Sequence, residues 1–193
     1  MSRTFIAALQ ISLDGYTQGE DTGEPSWVES WADALQLVPD VDCFVQGGGM
    51  YPGYGMYWAA IEADPKAPPP FQTQPPTPQE VAYARFAGQT PHYVLSKTLE
   101  TVSWPPTARI VRNLDALRKL KAEPGKNTYV VGGATFVSSL LQADLIDELK
   151  LIVHPLLLGG GKRLFGPLEK RRSLRFVKSE PAKSGRVILS YRL

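Results

Sequence analysis

The chain has 193 residues, 43% hydrophobic and 21% charged, the balance of a soluble globular protein able to build a core without metal or disulfide. Its 21 Lys and Arg against 19 Asp and Glu leave a net charge of +2, which argues against a dedicated nucleic-acid binder, and the single cysteine, Cys43, excludes an intrachain disulfide. Two histidines make a zinc site unexpected, no apolar run is long enough to span a membrane, and the N-terminus shows no signal-peptide pattern, so a cytoplasmic chain is expected.

In chain order, residues 4–11 read as a buried strand closed by the turn Ser12-Leu13-Asp14-Gly15. Residues 17–24 read as a polar loop. Ser26 and Glu29 have the spacing of a capping box, and Trp27, Val28, Trp31, Leu35 and Val38 continue at helical spacing. Residues 41–46 form a second strand, cut off by Gly47-Gly48-Gly49. The Tyr/Met/Trp-rich stretch to Ala63 is expected to be helical in its second half. Seven prolines between 65 and 78 rule out regular structure there and predict an exposed loop. Thr77 and Glu80 form another capping box, with Pro78 at the first helical position.

After Gly88 strands alternate with helices. Strands are expected at 92–96, 109–111, 129–131 and 149–154, and helices at 115–122 and 135–142. Residues 174–177 and 187–193, with a turn at 183–185, suggest an antiparallel hairpin. The fold class is α/β: a mostly parallel central sheet, antiparallel C-terminal strands and helices on both faces, in one domain spanning 1–193. Charge is uneven, with a net of −8 over residues 1–100 and +8 over 162–193. A basic tail suits an anionic small molecule, although solvated strand edges explain it as well.

The segment Thr128-Tyr129-Val130-Val131-Gly132-Gly133-Ala134-Thr135-Phe136 carries the most chemistry. A buried strand runs through two glycines into a helix, whose first amides lack partners and whose dipole attracts anions. Glycines there allow unusual dihedrals and close ligand approach. Taken alone, a double glycine fits a plain tight connection better than a binding site, and it is neither the three-glycine dinucleotide fingerprint nor a P-loop.

Two further blocks change that weighting: residues 7–16 (AALQISLDGY) upstream, and 145–165 (LIDELKLIVHPLLLGGGKRLF) downstream. In this order the three blocks resemble the reductase domain at the C-terminal end of the bifunctional riboflavin-biosynthesis deaminase–reductase and its stand-alone relatives, which share the dihydrofolate reductase fold. No deaminase zinc motif is present in these residues, so a bifunctional enzyme is not expected. The resemblance implies a reductase that takes hydride from a nicotinamide dinucleotide, with NADPH expected and NADH left open. It implies that Gly132, Gly133, Ala134, Thr135 and Phe136 receive the pyrophosphate, and that Ser96, Lys97 and Thr98 flank the adenosine half. Lys97 can pair with a 2′-phosphate or be a plain loop lysine. The resemblance also implies that the backbone of Ala8 faces the nicotinamide.

One departure from the family pattern stands out. Where the family has Gly-Arg-x-Thr-Tyr, this chain has Gly47-Gly48-Gly49-Met50-Tyr51. Losing the arginine contact at Gly48 costs about 1.5–3 kcal/mol, or about ten- to a hundredfold in affinity. Either the NADPH preference is weakened, or Lys97 and a basic residue elsewhere compensate, or the cofactor is not used; the backbone amides of Gly47, Gly48 and Gly49 offer a further route to a phosphate.

Reduction also needs a proton. Glu29 is explained by the capping box, so Asp33 is the first candidate donor; Asp14, its rival, can contact substrate or simply stabilise the turn before Gly15. His154 and Cys43 read as structural. Aromatics such as Trp27, Tyr51 and Trp58 can stack on a flat substrate or fill the core. The expected substrate is a pteridine- or aminopyrimidine-like small molecule. Dihydrofolate reduction, or nucleotide binding without catalysis, stay open as alternatives. No nucleic-acid or membrane partner is expected, and the resemblance suggests a homodimer.

Overall fold

The computed structural model describes residues 2–19, 27–28, 34, 36–166 and 171–193. The strands are β1 (Thr4–Ser12), β2 (Tyr16–Gln18), β3 (Val41–Gly47), β4 (His92–Leu95), β5 (Arg109–Val111), β6 (Asn127–Val131), β7 (Glu148–His154), β8 (Lys162–Arg163), β9 (Arg175–Pro181) and β10 (Val187–Arg192). Among the described residues the α-helices are α1 (Tyr51–Ala63), α2 (Pro78–Gln89), α3 (Leu114–Ala122) and α4 (Ala134–Gln142).

Eight strands form one sheet in the order β5-β4-β3-β6-β1-β7-β10-β9. Its first six strands are parallel, and β10 and β9 return antiparallel. Such a sheet buries its central strands on both faces, and β1 accordingly is buried from Phe5 to Ser12. One core packs Leu117 and Leu120 of α3 and Val137, Leu140 and Leu141 of α4 on Phe5, Ala7, Leu9 and Val130. The other packs Tyr54, Trp58 and Ile61 of α1 and Ala84 and Ala87 of α2 on Ile6, Ala8, Phe44 and Tyr129. The expected α/β layering, with helices on both faces and a C-terminal antiparallel hairpin, is what the chain adopts. This is the dihydrofolate reductase-like arrangement.

The predicted capping box at α2 is present: Glu80 N donates to Thr77 Oγ1 (3.2 Å) and Thr77 N to Glu80 Oε2 (2.8 Å). From 65 to 77 the proline-rich stretch contains no helix or strand and is mostly exposed, and Pro78 opens α2.

Two expectations need correction. The aromatic stretch is helical from Tyr51 onward rather than in its second half only, because Pro52 sits in the first turn, where its missing N–H costs nothing. Thr17 and Gln18, expected in a loop, belong instead to β2, which pairs with β8. That pairing requires Gly161, at φ +110, because any side chain there would strike the Gln18 carbonyl. The capping box at Ser26 and Glu29, and the helix expected through Trp31 and Asp33, lie outside the described residues.

Candidate active site

Parallel strands bring their carboxyl ends to one edge, and here three glycine- or serine-bearing ends lie side by side. Gln46 of β3 pairs with Val131 of β6, and Gly47 with Leu95 of β4. The turns beginning at Gly47, Ser96 and Gly132 are therefore neighbours, as a ligand crossing these strand ends requires.

Gly132 and Gly133 do different jobs. Neither has a positive φ, so the dihedral freedom expected of them is not used. A Cβ on Gly132 would overlap the ring of Phe136, which also covers Gly47. Phe136 thus fills the place a side chain would take at Gly132 and at Gly47, so packing requires glycine at both. Gly133 is the opposite case: it is exposed, and a Cβ there meets nothing within 4 Å. It is the N-cap of α4, with φ −74° and ψ 175° and no side-chain cap. The first bond inside the helix runs from Val137 N to Gly133 O (3.1 Å), so the amides of Ala134, Thr135 and Phe136 precede the ladder. The cradle that suits an anion is Gly133 to Thr135, with Gly49 on the adjacent strand end equally open.

Gly48 does not offer the arginine position a place. A Cβ there would overlap Ser96, and its amide already donates to Leu95 O (2.9 Å). The Ser96 turn is rigidly built. Ser96 Oγ accepts from Leu99 N (2.9 Å) and Thr98 N (3.3 Å). Arg112, which sequence reasoning passed over, donates to Leu99 O (2.7 Å) and Ser96 O (3.1 Å). Lys97 and Thr98 stand exposed on this turn, with a second cation beside them. A cleft of about 350 Å3 lined by Tyr51, Pro52, Met56, Leu99 and Trp104 adjoins it. Another, of about 340 Å3 and lined by Phe44, Tyr83, Phe86 and Tyr129, opens at the amino ends of the strands, away from these turns.

Ala8 is buried, and its carbonyl accepts a hydrogen bond from Tyr129 Oη (3.2 Å). Asp14 lies in the turn after β1. It accepts from Ser12 Oγ (2.6 Å), Gly159 N (2.8 Å) and Leu158 N (3.1 Å), clamping that turn to the loop after β7. The Ser12 hydroxyl, with the Gly159 and Leu158 amides, lowers its carboxyl from 3.8 to about 2 despite an opposing desolvation effect. A carboxylate so held is harder to protonate than an ordinary aspartate. Its contacts are those of a clamp between the two loops. Asp33, the other candidate donor, lies outside the described residues.

His154 is buried, donates Nε2–H to Gln10 Oε1 (2.8 Å) and meets the Trp27 ring edge-on at 4.9 Å. Tyr54 and Trp58 are core residues, and Tyr51, also buried, lines the cleft beside the Ser96 turn. Cys43 is buried, and desolvation pushes its thiol up to about 12. Among the described residues no group of three His, Cys, Asp or Glu could hold a metal ion, and no helix is long and apolar enough to cross a membrane.

The family model described as the RibD C-terminal domain matches residues 3–188. Over 191 residues the chain is 27% identical to the uncharacterized protein YyaP of Bacillus subtilis strain 168, covering 98% of this chain and 94% of that protein. A candidate riboflavin biosynthesis protein from Shewanella sp. PV-4 superposes with a TM-score of 0.67 at 24% identity, covering 100% and 98% of the two chains. Dihydrofolate reductase from Enterococcus faecalis, complexed with NADP(H), gives 0.62 at 13% identity, covering 100% and 98%. A deaminase/5-amino-6-(5-phosphoribosylamino)uracil reductase from Thermotoga maritima gives 0.60 at 14% identity, covering 99% of this chain and 56% of that one.

Proposed function

The chain belongs to the RibD C-terminal domain family, and from that premise we propose that it is a riboflavin-pathway-type reductase using NADPH on an aminopyrimidine- or pteridine-like small molecule. The observation that carries this reading is the open, uncapped helix start at Gly133, set among the ends of β3, β4 and β6. The residues present fit a dinucleotide there, because the Gly133 cradle has room at the position a Cβ would fill.

When bound, the dinucleotide supplies the hydride that a C=N or C=O acceptor receives. The chain's own residues do the rest. The amides of Ala134 and Thr135 bind the diphosphate in line with the α4 dipole, with Gly49 leaving space for it. Lys97 and Arg112 neutralise a 2′-phosphate in place of the arginine that Gly48 lacks, while the Ser96 turn and the adjoining cleft seat the adenosine half. The Ala8 carbonyl faces the nicotinamide. Asp14 holds the two loops beside that ring in register, and Asp33 delivers the proton. A second copy of the chain docks along β9, which is exposed along its whole length; light scattering tests that dimer.

The test is a titration of tryptophan fluorescence with NADPH, followed by loss of reduced-nicotinamide absorbance when an aminopyrimidine and a dihydropteridine are offered in turn. Saturable quenching that Gly133→Val abolishes while the chain stays folded supports the reading. Unchanged affinity in that variant contradicts it. Quenching without turnover of either substrate points to a binding protein of the same fold.

A further inference from the structure

Beyond the residues already assigned, one buried hydroxyl lies at the fork of the sheet. The β1–β6 ladder runs from Thr4 opposite Asn127 to Ala7 opposite Val130 and stops there. From Ala8 to Ser12, β1 pairs only with β7. Ala8 is therefore the first residue beyond the point where the strands part. Tyr129 sits opposite Ile6, two residues back, about 7 Å along the strand. That is close to the length of a tyrosine side chain, and its hydroxyl ends 3.2 Å from the Ala8 carbonyl oxygen.

We propose that Tyr129 is a positioning residue for the nicotinamide ring, acting through the Ala8 carbonyl; this rests on the reductase reading above. The ring of Tyr129 is buried against Phe44, with centroids 5.9 Å apart, so the phenol has little freedom to swing. Burial raises its pKa, so the hydroxyl stays protonated and can always donate. A carbonyl oxygen has two lone pairs. Tyr129 takes one and fixes the direction of the other, which is left for the N–H of a carboxamide. Without the hydroxyl the carbonyl at the fork loses its lateral support.

The test compares wild type with Tyr129→Phe, which keeps the ring and its packing. Dissociation constants are measured for NADPH and for adenosine 2′,5′-bisphosphate, which lacks the nicotinamide. NADPH is expected to bind about five- to twentyfold more weakly to the variant, and the bisphosphate within about twofold of wild type. A purely structural role would move both probes together or neither, and either result overturns the proposal. A second measurement needs no variant: nicotinic acid adenine dinucleotide phosphate, with a carboxylate in place of the carboxamide, should bind wild type at least about tenfold more weakly than NADP+. Equal binding of those two overturns the proposal, whatever the variant does. Failure of the wild type to bind NADPH at all overturns the reductase reading and this inference with it; wild-type binding with an unaffected variant overturns the inference alone.

Discussion

Replacing Gly133 with aspartate should move stability and ligand affinity in opposite directions. Gly133 already has the extended dihedrals of an N-cap and open space where a Cβ would stand, so the new side chain enters without strain. Its carboxylate can accept from the amides at the start of α4, gaining a few tenths of a kcal/mol over glycine from capping and about 0.3–1 kcal/mol from the helix dipole. For a chain of this size, a total of about 0.5–1 kcal/mol raises Tm by about 1–4 °C. The same carboxylate occupies the donors that a diphosphate needs and repels it. Losing even one charge-assisted contact costs about 1.5–3 kcal/mol, so NADPH should bind about ten- to a hundredfold more weakly. Thermal melts and a calorimetric titration measure the two effects on one preparation. Raised Tm with unchanged NADPH affinity would show that the α4 amides are not the phosphate site. A lowered Tm would refute the capping geometry itself.

Three other substitutions follow from the same contacts. Gly132→Ala drives a methyl group into the Phe136 ring and should cost about 1–3 kcal/mol, lowering Tm by about 2–12 °C, in contrast to the tolerance expected at Gly133. Thr77→Ala removes the α2 capping box and should lower Tm by about 2–4 °C, for a loss of about 1 kcal/mol; an unchanged melt would mean that the start of α2 contributes nothing to global stability. Asp14→Asn tests the loop clamp through pH. Because folding lowers this carboxyl from 3.8 to about 2, its stabilisation is complete above the ordinary value and is lost as pH falls through about 2. The Tm gap between wild type and Asp14→Asn should therefore be constant from neutral pH down to about 5 and shrink below about 4. A gap that widens in acid would rule the clamp out.

Local signals in the sequence carried most of the fold. Thr77, Pro78 and Glu80 specify their helix start by contacts three residues apart, and the continuous apolar run of β1 announces a strand buried on both sides. What the sequence did not reveal depends on partners far along the chain. β2 is three residues long and is a strand only because residues 162–163 come back to pair with it. Asp14 reads as a substrate contact or a local turn stabiliser, and nothing near it in sequence announces its bonds to amides 144 and 145 residues away.

The candidate site divides the same way. The double glycine was visible as a place where backbone meets ligand, but which glycine serves that purpose depends on where Phe136 folds back. Spacing alone leaves Gly132 and Gly133 equivalent; the Phe136 ring makes them different. Arg112 gave no signal of its own, since its role comes from the carbonyls of Ser96 and Leu99 on a neighbouring strand end. Tyr129 read as one more apolar strand residue until β1 and β6 were seen to part beside it.

The most direct measurement is the amide spectrum of the 15N-labelled chain during titration with NADPH. Saturable shifts should appear at Gly133, Ala134 and Thr135 and on the Ser96–Thr98 turn, with smaller ones at the amino ends of the strands. Shifts confined to the cleft around Phe86 and Tyr83, or no saturable shift at any residue, would contradict a dinucleotide lying across the carboxyl ends of β3, β4 and β6.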